Sequence, residues 1–148
     1  MMFKTLLMLI VLLALAGCAT TQCGNYVEDN SETHNSIIAS DAAYQLMQIY
    51  PPASTRFNMQ HPTTDSFGAA LIRSLRTGGY AIQEISKSNL AGSDNTTDSN
   101  DGATLAYIFD QSSDVYRLSV LIDERILTRA YIPHEDKVVP GGSWVLKE

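Results

Sequence analysis

The sequence predicts an α+β fold, two helices packed on a mostly antiparallel sheet, and two observations carry that prediction. Apolar residues recur at helical spacing in two segments of the first half, whereas the second half alternates apolar and polar residues in runs joined by short polar turns. No internal repeat interrupts this order.

Met1 to Lys4 is a short basic start, and Leu6 to Leu15 is an almost unbroken apolar run. A membrane-spanning helix needs roughly 20 apolar residues, so this shorter run reads as the apolar region of a secretory signal over residues 1–17. Leu15-Ala16-Gly17-Cys18 then has the form of a bacterial lipoprotein processing site, with Cys18 as the lipid attachment. The alternative is an ordinary secreted chain cleaved near Ala14 or Ala16 with Cys18 free. Acylation contributes about 0.8 kcal/mol per buried methylene, so two or three chains hold the membrane almost irreversibly. Position 19 is Ala, and Asp there would signal inner-membrane retention, so an outer-membrane location with the domain facing the periplasm is expected.

Removing residues 1–17 leaves 131 of the 148 residues, enough for one domain with a sizeable core. The whole-chain charge of −6 becomes −7 once Lys4 is gone, and no stretch is densely basic, so direct nucleic-acid binding is not expected.

Residues 18–35, "CATTQCGNYVEDNSETHN", are small and polar apart from Tyr26 and Val27 and read as a tether. A single domain is expected over 36–148. Its first helix spans Ile37 to Tyr50, with Ile38, Ala42, Leu46 and Ile49 on one face, Asn35 or Ser36 as N-cap and Pro51-Pro52 as the stop. "ASTRFNM" alternates as a strand. The second helix is better signalled: Thr63, Thr64 and Asp65 offer caps, Phe67, Leu71 and Leu75 form a stripe, and Gly78-Gly79 supplies the left-handed end, with "YAIQEI" following as a strand.

Residues 86–102, "SKSNLAGSDNTTDSNDG", read as a disordered loop. Beyond it come strands over Leu105–Phe109, Val115–Ile122 and Ile126–Ile132 and a short piece around Ser143–Leu146; their short turns imply antiparallel neighbours.

Chemistry is sparse. The histidines are His34 in the tether, His61 before Pro62, and His134 in the polar turn "PHEDK"; each reads as solvated, and no nucleophile motif, zinc motif or phosphate-binding loop is present. A calcium loop started at Asp98 places Gly102 at the fifth position and Phe109 at the twelfth, where oxygen ligands are needed, so it fails. No catalytic residue, metal site or cofactor is expected. The arginines Arg56, Arg73, Arg76, Arg117, Arg125 and Arg129 mostly read as solvated, and Trp144 fits either a core plug or an interface anchor.

Several stretches together resemble the TrbH family of conjugal-transfer lipoproteins: "CGNYVEDN", "YPPASTRF", "FGAALIRSLRTGGYAI", "YRLSVLI", "LTRAYIP" and "GGSWVLKE". The likeness spans nearly all of the mature chain and departs from the family's pattern at Cys23 and in the length of the polar loop. The resemblance implies a non-enzymatic component of the outer-membrane core of a type IV secretion system. It implies TrbG-like and TrbI-like channel proteins as partners, a homo-oligomeric ring, and a fold loosely like the N0 domain of secretins. It also implies that Gly24, Asn25, Tyr26 and Val27 lie against a partner, with Trp144 a further candidate. The competing readings are a periplasmic module that binds peptidoglycan or a small ligand through residues 86–102 and, behind it, a cell-wall hydrolase. Lipidation of Cys18 leaves Cys23 either a tolerated thiol or a bridge to another subunit.

Overall fold

The computed structural model describes residues 22–28, 31–85 and 101–148. The signal region, Cys18 and the loop expectation for 86–100 lie outside these residues.

The chain begins with a two-residue strand, β1 (Gly24–Asn25), and continues into helix α1 (Glu32–Ile49). Ser31 caps that helix by accepting the Thr33 N–H at 3.2 Å, and the Tyr50 N–H closes it on the Leu46 carbonyl at 2.7 Å before Pro51. The helix therefore starts five residues before the expected Ile37, inside the stretch read as tether. His34 and Asn35 are buried, His34 tilted against Tyr116 and Asn35 donating to Ser66 at 2.9 Å. Tertiary partners bury a turn whose own composition is polar, and His34 is not the solvated residue its setting suggested.

A 3-10 turn (Pro52–Ser54) leads to β2 (Arg56–Met59), then α2 (Ser66–Thr77) and β3 (Ala81–Gln83). The cap of α2 is Asp65, which accepts the Gly68 N–H at 2.9 Å, and Gly79 takes the left-handed conformation, φ 94°, just past the helix. Four further strands form a meander and its return: β4 (Ala103–Ser112), β5 (Val115–Ile122), β6 (Arg125–His134) and β7 (Lys137–Pro140), after which β8 (Val145–Lys147) ends the chain.

Among the described residues all eight strands share one sheet, in the order β3-β2-β4-β5-β6-β7 with β1 and β8 off this path. The pairings of β2 with β3 and β4, and of β1 with β4, are parallel; the rest are antiparallel. Connection length explains the division, because the two-residue turns after β4, β5 and β6 can only reverse the chain, whereas α2 carries it across from β2 to β3. The short strands double up. β2 and β1 lie end to end along one edge of β4, and β8 and β7 do the same along β6.

The helices run side by side in the same direction, as Asn35 meets Ser66 and Ser40 lies 3.5 Å from Ser74. Buried Ala39, Ala43 and Ala70 permit the close approach. Both helices cover one face of the sheet, against Phe57, Leu105, Tyr107, Phe109, Leu118, Ile122 and Tyr131, all at most 1% exposed. Each such large apolar side chain contributes about 1.5 to 3 kcal/mol of burial free energy.

Candidate functional site

The feature that organises both ends of the described fold is a pair of carboxylates, one from each helical segment. Asp41 stands among Ile38, Ala42 and Ala43 on the inward side of α1, where it accepts the Tyr131 hydroxyl at 2.7 Å and the Trp144 indole N–H at 3.2 Å. Arg129 donates to both its oxygens, at 3.1 and 2.9 Å, and to the Gly142 carbonyl at 2.8 Å. The Arg129 guanidinium also lies 5.9 Å from the Tyr131 ring centre and 5.8 Å from that of Trp144. Helix, long strand and C-terminal segment therefore meet at one carboxylate.

Asp65 performs the corresponding task at the other end. Beyond capping α2, it accepts the Asn25 amide at 3.2 Å and a short hydrogen bond from the Tyr107 hydroxyl. There is no room beside it: a Cβ at Gly68 would stand 2.9 Å from Asp65 Oδ2 and 3.1 Å from Thr63 Cα, so only glycine fits the third helical position. Burial, then the bond to its carboxylate, raises the phenol of Tyr107, and the same causes raise Tyr131. Both hydroxyls therefore stay protonated donors.

The N-terminal residues expected at a partner are placed on the chain's own sheet. Gly24 and Asn25 pair with Ile108 and Phe109, the Tyr26 N–H bonds the Phe109 carbonyl at 2.7 Å, and Val27 is buried in the core. Tyr26 is the exception, 49% exposed, with its hydroxyl on the Gln22 carbonyl at 2.9 Å. Trp144 is half-buried against the core. Cys23 is half-buried and free, and burial raises its thiol.

In the gap between β2 and β1 the backbone of β4 would lack a partner, and His61 supplies one. Its Nε2 accepts the Tyr107 N–H at 3.3 Å while Nδ1 faces the Pro62 carbonyl at 3.1 Å, an arrangement that suits the neutral ring. His61 is thus a structural plug, whereas His134 is exposed in the β6–β7 hairpin. Among the described residues no group of three or more His, Cys, Asp or Glu could hold a metal ion.

Sequence reasoning found Asp65 as a cap and missed the rest. The signal for Asp41 is a lone carboxylate inside an apolar helical stripe. Arg129 also falls at the same alternate position as Leu127 and Tyr131, which turns it inward, 17% exposed, in contrast to the solvated arginine expected. Asn25 and Tyr107 carry no comparable signal.

These contacts define a small single-sheet α+β domain whose polar clusters fasten its own two ends. The family model described as conjugal transfer protein TrbH matches residues 20–148. The chain belongs to the TrbH family and is a conjugal transfer protein. Comparison with curated proteins and with solved structures gave no significant match. No helix among the described residues is long and apolar enough to cross a membrane.

Proposed function

We propose that the protein is a non-enzymatic outer-membrane lipoprotein, anchored through Cys18, that scaffolds the core complex of a conjugative type IV secretion system from the periplasmic side. The family membership of residues 20–148 carries the transfer role. The lipoprotein-type stretch Leu15-Ala16-Gly17-Cys18 supports the anchor. The two carboxylates support a scaffolding task, since their donors come from the chain's own segments, an arrangement that holds elements in place. TrbG-like and TrbI-like channel proteins are the proposed partners, in a ring of identical copies. Exposed Tyr26 is the candidate contact from the N-terminal segment, held in place by Gly24, Asn25 and Val27, and half-buried Trp144 is a separate candidate contact beside Asp41 and Arg129.

Purification from membranes in mild detergent, followed by identification of what accompanies the protein, tests the reading. Channel components are expected, and recovery as a lone monomer would overturn it. Cys18→Ser should leave the protein out of the outer-membrane fraction and lower plasmid transfer.

A further inference from the structure

The helices cover one face of the sheet; among the described residues no helix lies on the other. Register assigns that second face. Leu121 stands between Ala106 and Ile126, Ser119 between Ile108 and Thr128, and Ile132 opposite Val139. Ile132, Val139 and Val145 are 45%, 46% and 63% exposed.

Charge on this face runs against that of the chain. Strand positions with this orientation carry the exposed cations Arg56, Arg117, Lys137 and Lys147 and one carboxylate, Asp110, which pairs with Arg117 at 2.6 Å. The whole protein has a net charge of −6. Carboxylates gather instead in the hairpin turns, at Asp114, Asp123, Glu124, Glu135 and Asp136, and α1 carries acidic residues with no Lys or Arg. Exposed apolar side chains flanked by cations are the chemistry of a surface that rests on anionic headgroups.

Chain length supplies the second argument, and it rests on the anchor proposed above. Three residues lie between Cys18 and Gln22, the first described residue, so the four-step link spans at most about 14 Å. The β1 edge then stays close to the bilayer, and the domain must turn some face to it. We propose that the helix-free face of the sheet, with Ile132 and Val139 as apolar contacts and Arg56, Lys137 and Lys147 at its rim, lies against a phospholipid surface containing anionic headgroups.

Spin labels on the full acylated protein test this in vesicles of phosphatidylethanolamine with a minority of phosphatidylglycerol. Ile132→Cys and Val139→Cys, each combined with Cys23→Ser, report the proposed face, and Tyr44→Cys reports the exposed side of α1. The ratio of oxygen to nickel-chelate accessibility should be several-fold higher at 132 and 139 than at 44. Lys137→Glu with Lys147→Glu should bring it back toward the value at 44. Equal ratios at all three sites overturn the proposal while leaving the anchor intact, as they would if this face met a channel protein instead. Mass spectrometry showing no acyl chain on Cys18 removes the anchor, and the membrane-facing orientation fails with it.

Discussion

Asp41 and Asp65 perform the same operation on opposite ends of the described fold with different electrostatics. Each accepts a hydroxyl from a buried tyrosine on a long strand and a side-chain N–H from a terminal segment, Trp144 in one case and Asn25 in the other. Asp41 is balanced by Arg129, its side chain 28% exposed and that of the arginine 17%. Asp65 pairs with no such cation among the described residues and is met instead by the N-terminus of α2, where oriented backbone N–H groups favour negative charge. One end is fastened by an ion pair, the other by a helix terminus, and the difference gives the two ends distinct failure modes.

The largest expected effect comes from Asp41→Ala, which leaves Arg129, Tyr131 and Trp144 without their acceptor and should cost about 3 kcal/mol. Asp65→Ala loses a cap and two further hydrogen bonds, for about 2 to 3 kcal/mol. Location separates them better than magnitude. Hydrogen exchange should quicken over Val145–Lys147 in the first variant and over Gly24–Val27 in the second; the same pattern in both would mean that the ends are coupled. Conservative replacements sharpen the contrast. Asn is a good cap, so Asp65→Asn should recover most of the loss, whereas Asp41→Asn removes the charge that Arg129 needs and should not.

Gly68→Ala tests the crowding around Asp65 alone. Overpacking of this kind costs typically about 1 to 3 kcal/mol, against the gain of about 1 kcal/mol that the same change gives in an open helix. A thermal midpoint at or above that of the wild type would show that Tyr107 and Asp65 can yield.

The tyrosines add a pH dependence common to both ends. A phenol whose folded pKa lies above the unfolded value of about 10 contributes fully below pH 10. Above it the unfolded chain releases the proton and the folded one keeps it. Stability should therefore fall by about 1.4 kcal/mol per pH unit for each of Tyr107 and Tyr131 as pH rises past 10. Denaturant titrations of Tyr107→Phe and Tyr131→Phe should each show a shallower alkaline loss, and an unchanged slope would place the alkaline limit elsewhere.

How much of this was legible in the sequence depends on whether an element is built from its own residues or from its neighbours. The second helix was readable because cap, stripe and terminating glycines all lie within Asp65–Gly79, and β5 matched its expected bounds because its alternation is unbroken. Strand β1 was not, since two residues pairing through backbone leave no periodic trace. The first turn of α1 is polar and packs against Tyr116 and Ser66, which lie far along the chain. Strand β7 followed directly on a polar turn and ended in Pro140, which suits an edge. The link between Asp41 and Arg129 becomes visible only once the sheet register is known, whereas Asp65 announced itself as a cap and concealed its bonds to Asn25 and Tyr107.

The smallest effect expected is that of Cys23→Ser, and it bears on how the N-terminal end is secured. Cys23 immediately precedes β1, is half-buried, and has its thiol raised by burial. Attack on another sulfur requires the thiolate, so a raised pKa slows formation of any bridge to a neighbouring copy. The Asn25 hydrogen bond to Asp65 and pairing with β4 already hold this segment without a covalent link. Wild type and Cys23→Ser should then run alike as monomers on a non-reducing gel, with stabilities within about 0.5 kcal/mol of each other. A dimer band confined to the wild type would show instead that the N-terminal end is closed by a disulfide between copies, and the contrast with the C-terminal end would become one of covalent against ionic fastening.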